Sequence, residues 1–312
     1  MNADTIDTRE SFRLSREMAR ARMPHLYRVA RLFPEQERFD AFCALYASMR
    51  WVDDRVDEKQ TDLGGLDAWE REINAAFSGG APTSPFGPAL ADTLSRFPLT
   101  PEPWHRLLAA MRFDLQHDGF TTYEGFIRYA EGATVAPAAL FASLLLMRPG
   151  GRTWRLALPY EEVRDAVRDA AVACYEVHIL RDAQEDLSAG RNYFPQDELA
   201  TYHLDLAGPL TDAWRSYLRA YGMRVRGTWQ PAVAHMAAIE SPMTDRERLM
   251  LHLLVEFYGE SLQKIIRLRF DVWSDQHWPE LHEITDLLER LSRQYEPGVD
   301  LGSLAGRIIE DV

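Results

Sequence analysis

Apolar side chains recur every three or four positions along almost the whole chain. Leu14, Met18, Ala21 and Met23 keep that spacing, and so do Phe39, Phe42, Leu45, Tyr46 and Met49. A period near 3.6 gathers such residues on one face of an α-helix. No sustained run alternates polar residues with β-branched ones, so no sheet is expected. Breakers interrupt the helical pattern at Pro34, Gly64-Gly65, the small-residue run 79–88, Pro98 to Pro101, residues 147–151, Pro159, Gly190 to Pro195 and Ser241-Pro242. Glycine and proline at such positions end helices and start turns. The pattern predicts an all-α chain of about ten helices. None of the breaks has the composition of a domain linker, so the sequence reads as a single domain over residues 1–312.

Two helical segments carry charge where the pattern would allow apolar residues. In Arg50-Trp-Val-Asp53-Asp54-Arg-Val-Asp57-Glu58, Asp53 and Asp57 are four residues apart and share a face. Like charges at that spacing weaken a helix, so a compensating cation is expected, and Arg50 lies on the same side. The second segment is His178-Ile-Leu-Arg181-Asp182-Ala-Gln-Glu185-Asp186. There His178, Asp182, Glu185 and Asp186 form one stripe, while Val177, Ile179 and Leu180 fill the apolar side. One acidic pair is ordinarily a solvated helix face. Two, each beside aromatic residues and an arginine, suggest a cage of oxygen ligands suited to Mg²⁺, which is often shared with substrate phosphates. His178 reads as a metal ligand, a base or a core histidine, and its register with Asp182 favours the site.

Composition narrows the partners. The chain has 312 residues, 46% apolar, with a formal charge of −13 and two cysteines. It is too apolar for disorder and too poor in cysteine for a disulfide scaffold. The acidic balance disfavours nucleic acid. Any phosphorylated substrate must then be held by local arginine, lysine or metal. No apolar run reaches the ~18 residues that suggest a membrane span, and no secretory leader is evident. A cytoplasmic protein is expected, with peripheral membrane contact left open. No sequence feature marks an oligomeric interface.

The segments around the acids carry a resemblance. Leu45-Tyr-Ala-Ser-Met-Arg50 before DDRVDE (53–58) resembles the "YAFxRxxDDxxDE" segment of the squalene/phytoene synthase family. ILRDAQEDLSAGRNYFPQDEL (179–199) resembles its "ILRDxxEDxxxGRxYxPxDEL" segment, and the likeness extends over roughly residues 20–295. The resemblance implies a class I isoprenoid-synthase bundle around a central hydrophobic cavity. It implies an enzyme that joins two allylic isoprenyl diphosphates, farnesyl or geranylgeranyl, head to head through a cyclopropyl intermediate. It further implies Mg²⁺, three ions with the diphosphate. NADPH, used in squalene formation, has no motif of its own here. By motif, Asp53, Asp57, Asp182 and Asp186 match the metal positions, with Asp54 and Glu185 beside them. Tyr46 and Arg50 match positions near the diphosphate, Arg181 and Arg191 match basic positions of the second motif, and Tyr129 matches a family tyrosine. Tyr258 and IIRLRFDVW (265–273) resemble the last core helix.

There are departures. Tyr175 stands where the family usually has Gln, and His178 where it has Asn. His25 and Leu26 replace a Ser-Phe pair, and ATVAPA (133–138) replaces "VAGxVG". These changes concern the pocket more than the acids. Ionising an allylic diphosphate calls for cations on the leaving oxygens and a dry cavity for the carbocation. Arg50, Arg181, Arg191, Lys264 and Arg267 are the candidate donors. Two alternatives to head-to-head coupling remain: cyclisation or transfer to a non-prenyl acceptor on the same fold, and a non-catalytic relative.

Overall fold

The computed structural model describes residues 6–80, 82–116, 119–206, 211–273 and 277–309. Its helices are α1 (Thr8–Arg22), α2 (Pro24–Ala30), α3 (Gln36–Asp57), α4 (Leu63–Phe77), α5 (Gly87–Arg96), α6 (Glu102–Asp114) and α7 (Tyr123–Ala130). They continue with α8 (Ala136–Leu145), α9 (Tyr160–Ser188), α10 (Gln196–Thr201), α11 (Asp212–His235), α12 (Asp245–Arg267), α13 (Leu281–Tyr295) and α14 (Leu301–Ile309). The all-α expectation holds. The helices outnumber the expected ten because periodicity runs straight through short interruptions. Pro24 starts α2 one residue after α1 has ended, for example.

One element departs from the all-helical pattern. The breaker at 147–151 forms a small antiparallel hairpin, β1 (Met147–Pro149) paired with β2 (Trp154–Leu156). Its strands are three residues each, too short for an alternation of polar and apolar positions to show in the sequence.

Helix starts follow from local chemistry. Asp7, Asp62, Thr122, Thr211 and Thr244 each cap a helix by accepting a backbone N–H with the side chain. Such a cap satisfies a donor that the first turn leaves unpaired. At α12 the cap is reciprocal, because Glu247 also accepts the N–H of Thr244.

The 29-residue α9 is the central rod. It packs against α8, α11 and α12, and Ala166, Ala170, Ala171 and Ala173 keep its buried surface small enough for close approach. Helix α3 is buried along most of its length and packs against α1, α5, α6 and α8. Between α7 and α8 the chain makes one π-turn, Glu131–Val135. Pro137 has no N–H to give to the carbonyl four residues back, which favours a distortion just before it. Gly132 lies in this turn because a Cβ there would meet the Arg106 carbonyl oxygen at 2.2 Å.

A buried ion cluster fastens α3 and the hairpin to α12. Glu247, 1% exposed, accepts from Arg38, which is also buried, and from Arg148 Nη1 and Nη2 at 3.0 and 2.8 Å. Removing one member of such a cluster strands the opposite charges away from water, which costs about 3–5 kcal/mol. Glu247→Ala is therefore expected to lower unfolding free energy by about that amount, read by urea denaturation. A loss below about 1 kcal/mol would mean the arginines are solvated after all.

Candidate active site

A cavity of about 490 Å³ opens between α3, α6, α8, α9 and α12. Its character changes along the helices that wall it. On α9, Val167, Ala170, Ala171 and Cys174 come first, then Tyr175 and His178, then Asp182, Glu185 and Asp186. At 1.5 Å per residue, this face extends about 28 Å from Val167 to Asp186. On α3 the order is Tyr46, Met49, Arg50, Asp53 and Asp57. Leu107, Met111, Phe141, Leu251 and Leu254 line the rest of the apolar part.

The two acidic stripes face each other across the polar part. Asp57 and Asp186 repel one another, while Arg191, just beyond α9, attracts Asp53, Asp57 and Asp186. The placement of Arg191 follows from the end of the helix. Gly190 takes a left-handed φ of +77°, and the Arg191 N–H returns to the Asp186 carbonyl at 2.8 Å. This is the hydrogen bonding of a glycine-terminated helix. The Arg191 side chain then donates to Asp186 Oδ1 through Nε at 3.0 Å and Nη2 at 2.8 Å. Three residues on, Phe194 anchors the loop by packing its ring edgewise on Trp214, Tyr217 and Tyr221.

Burial pushes the carboxyls up. Asp53 rises to about 7, Arg50 opposing and Asp57 and Asp54 adding to the burial, and Asp57 is also raised by burial. Asp186 rises to about 6 in spite of Arg191. Asp182 goes the other way. Burial works against its charge, but hydrogen bonds from Arg181, with His178 nearby, hold it below the usual carboxylate range. Burial next to Arg181 pushes His178 down to about 4 and leaves it neutral at pH 7.

Most of the residues singled out in the sequence meet here. Tyr46, Arg50, Asp53, Asp57, Tyr129, His178, Arg181, Asp182, Glu185, Asp186, Arg191 and Tyr258 all line the cavity. Three do not. Asp54 turns aside to Arg50 at 2.6 Å and Arg22 at 3.1 Å. Lys264 is bound to Glu280 and Glu283, and Arg267 to Glu283, so neither faces the acids. His178 is present, but both ring nitrogens are engaged. Nδ1 meets Arg181 Nη2 at 2.9 Å, and Nε2 meets Asp182 Oδ2 at 3.1 Å. An arginine can only donate, so Nδ1 accepts and the proton sits on Nε2. That tautomer leaves His178 no lone pair for a metal.

The cavity also holds Asp114 and Tyr193, which sequence reasoning did not select, beside Tyr175 and Tyr129, which it did. Asp114 on α6 accepts from the Tyr129 hydroxyl at 2.9 Å, and Tyr175 donates to Tyr129 at 3.5 Å. Tyr193 packs beside both rings. Burial pushes Asp114 up to about 8, Asp53 and Asp57 adding to the effect. A signal was available: Asp114 falls on the same face as Leu107 and Met111, an acid at an apolar helical position.

Among the described residues, no three His, Cys, Asp or Glu side chains cluster tightly enough to hold a metal ion by themselves. The donor chemistry nonetheless fits Mg²⁺. The facing groups are carboxylates, and Mg²⁺ is commonly held by one or two of them together with substrate phosphates. Tyr46 Oη, Arg50 Nε and Arg181 Nη1 are buried without a hydrogen-bond partner. Unsatisfied donors around a cavity are groups that a bound anion would satisfy.

The profile described as squalene/phytoene synthase matches residues 19–283. The chain belongs to the squalene/phytoene synthase family. Family members are prenyltransferases. The chain is 29% identical over 282 residues to a phytoene synthase of Arthrospira platensis, covering 86% of this chain and 87% of the other. It is 31% identical over 214 residues to a 15-cis-phytoene synthase of Synechococcus elongatus, covering 64% of this chain and 67% of that one. Squalene synthase HpnC from Alicyclobacillus acidocaldarius superposes with a TM-score of 0.70 at 26% identity, covering 84% of this chain and 95% of that one. A dehydrosqualene synthase shares the fold, with a TM-score of 0.77 at 16% identity over 92% of this chain and 97% of the other. No helix among the described residues is long and apolar enough to cross a membrane.

Away from the cavity, α9 turns Glu176 into a buried cluster. Glu176 accepts from Tyr123 Oη at 3.1 Å and lies 3.9 Å from Arg224. Burial pushes Glu176 up to about 7, above its ordinary 4.5, against the pull of Arg224. The folded chain therefore binds a proton there that the unfolded chain has lost, and stability falls as pH rises from about 4.5 to about 7. Glu176→Gln is expected to remove this dependence, so the variant gains on the wild type across that window by at most about 3 kcal/mol. Denaturation at a series of pH values checks this, and a constant offset between the two proteins would contradict it.

Proposed function

We propose that the chain ionises allylic isoprenyl diphosphates and joins two of them head to head to a squalene- or phytoene-like product, using Mg²⁺. The observation that carries the reading is one cavity with two opposite ends. Facing acidic stripes and unsatisfied arginine and tyrosine donors lie at one end, and an apolar wall at the other. The names of the relatives support the same chemistry.

Asp53, Asp57, Asp182 and Asp186 would hold the metal, with Glu185 beside them. When bound, Mg²⁺ would supply Lewis-acid neutralisation of the diphosphate oxygens. Arg50, Arg181 and Arg191 supply hydrogen bonds to the same oxygens as negative charge develops there. Each of these arginines is paired with an aspartate in the free protein, so diphosphate and arginine charge come together as metal and aspartate do. The prenyl chain lies along Leu107, Met111, Phe141, Leu251 and Leu254. These side chains exclude water, which would otherwise trap the carbocation as an alcohol. Tyr129, Tyr175 and Phe141 present aromatic faces that stabilise positive charge.

A second reading is cyclisation or transfer to a non-prenyl acceptor. The Asp114–Tyr129–Tyr175 chain favours it, because it brings hydroxyls into the part of the cavity where the cation would sit.

The test is incubation of the purified protein with farnesyl and geranylgeranyl diphosphates. Each is run with Mg²⁺ and with chelator, with and without NADPH, and diphosphate release and the organic extract are both read. Mg²⁺-dependent release with a C30 or C40 product is expected. A cyclised or acceptor-linked product would favour the second reading, and no release from either substrate would refute both. Asp53→Asn and Asp182→Asn are each expected to lower kcat at least about a hundredfold, since each removes a charge that organises the leaving group. Near-normal turnover in either variant would take that aspartate out of the mechanism.

A further inference from the structure

Lys264 and Arg267 were expected to contribute to the diphosphate site, and the place they occupy instead has its own consequence. Lys264 is 8% exposed. Its ammonium Nζ donates to the Trp278 carbonyl oxygen at 3.1 Å, to Glu280 Oε1 at 3.0 Å and to Glu283 Oε2 at 3.4 Å. A buried ammonium is tolerated only when its donors are satisfied. All three partners here belong to one short stretch, the strap of residues 277–280 and the first turn of α13. Lys264 thus clips that strap to α12.

The strap puts Trp278 at the cavity. Trp278 lines it and is 44% exposed, so its ring forms part of the boundary between the cavity and solvent. The Arg181 guanidinium lies 3.9 Å from the ring centre. The ring also meets the buried His25 at 4.9 Å between ring centres, and His25 in turn packs on Phe257 and Tyr258. Arg181 is held by Asp182 and His178 as well, and its Nη1 has no partner.

These contacts divide the guanidinium into a face and an edge. Stacking on an indole uses the face of the ion, and hydrogen bonds to an anion use its in-plane N–H groups. A carboxylate partner such as Asp182 competes for the same N–H groups that a diphosphate needs. The Trp278 ring does not. It can hold Arg181 in place while the edge changes partners.

We propose that Trp278, clipped by Lys264, is a positioning residue: it holds Arg181 with its N–H edge towards the diphosphate and covers the cavity mouth against water. The proposal rests on the reading of the cavity as a diphosphate site. It adds a cation–π support and a cover from a segment distant in sequence from both acidic motifs.

The experiment compares wild type, Trp278→Phe, Trp278→Ala and Lys264→Met. Inorganic diphosphate with Mg²⁺ is titrated by calorimetry and by intrinsic fluorescence. KM, kcat and the ratio of prenyl alcohol to coupled product are measured with an allylic diphosphate, and thermal unfolding confirms that each variant is folded. Trp278→Ala is expected to weaken diphosphate binding and raise KM by about threefold to thirtyfold, the span of a cation–π contact. It should also raise the share of prenyl alcohol. Trp278→Phe keeps a ring face and should stay near wild type in binding while losing the ligand-dependent part of the fluorescence of the eight tryptophans. Lys264→Met should shift the same quantities in the same direction, and adding it to Trp278→Ala should cause no further loss in binding. If Lys264→Met does not fold, the two Trp278 variants carry the test. Wild-type binding with unchanged KM and alcohol fraction in Trp278→Ala would overturn the proposal, as would equal losses in the Ala and Phe variants. A wild type that binds no diphosphate would instead overturn the diphosphate reading itself.

Discussion

Asp53, Asp57, Asp182 and Asp186 project from two helices into one partly desolvated space, where burial and then Asp57 oppose the ionisation of Asp53, and burial, Asp182 and Asp57 oppose that of Asp186. Like charges in such a setting either neutralise by taking protons or attract cations. The surrounding chain supplies cations, but sparingly. Arg181 neutralises Asp182 so fully that its acidity is strengthened, whereas Arg50 and Arg191 only moderate Asp53 and Asp186. A residual demand for positive charge is left over. It rests on helix α3 and on the far end of α9, and much of the architecture serves to hold those two segments opposite one another. The alanine-rich stretch of α9, the glycine that ends it and the Phe194 anchor all contribute to that end.

The other half of the cavity meets an opposite requirement. A prenyl cation would need surfaces that neither add to it nor admit water. The structure places long aliphatic side chains there, and the polar groups that intrude are tied to one another. Tyr129 is satisfied by Asp114, and Tyr175 is satisfied by Tyr129. Each hydroxyl proton is thereby directed to a neighbouring oxygen rather than into the open cavity, and burial favours the neutral form of the Asp114 carboxyl. The departures from the family pattern at positions 175 and 178 lie between these two halves, next to the acids but outside them.

Fold class was legible because period 3.6 persists wherever a helix buries one face, and it does so from α1 to α13. The acidic stripes were legible for the same reason: four-residue spacing alone decides that Asp53 and Asp57, or Asp182 and Asp186, look the same way. Pairings within a turn or two, such as Arg50 with Asp53, followed too. What stayed hidden depends on contacts between distant segments. A positive charge near the end of the last core helix could serve a diphosphate or an acidic neighbour. For Lys264 and Arg267, Glu280 and Glu283 decide it, and only the tertiary structure brings them within reach. The metal-ligand reading of His178 was ambiguous for a related reason, since spacing reveals that it lies over Asp182 but not that Arg181 takes its other nitrogen. Trp278 carried no pattern at all.

The π-turn at Glu131–Val135 affects how this cavity can vary among homologues. Such a turn accommodates one residue more than an α-turn, so it behaves as a single-residue insertion absorbed inside a helix. Everything after it, including Pro137, Ala138 and Phe141 on the cavity wall, is rotated by about 100° relative to an uninterrupted helix. A lineage that lost one residue here would keep the same hydrophobic composition in α8 yet turn a different set of side chains inward. The shape of the apolar compartment is therefore open to change through a length change of one codon as well as through substitution.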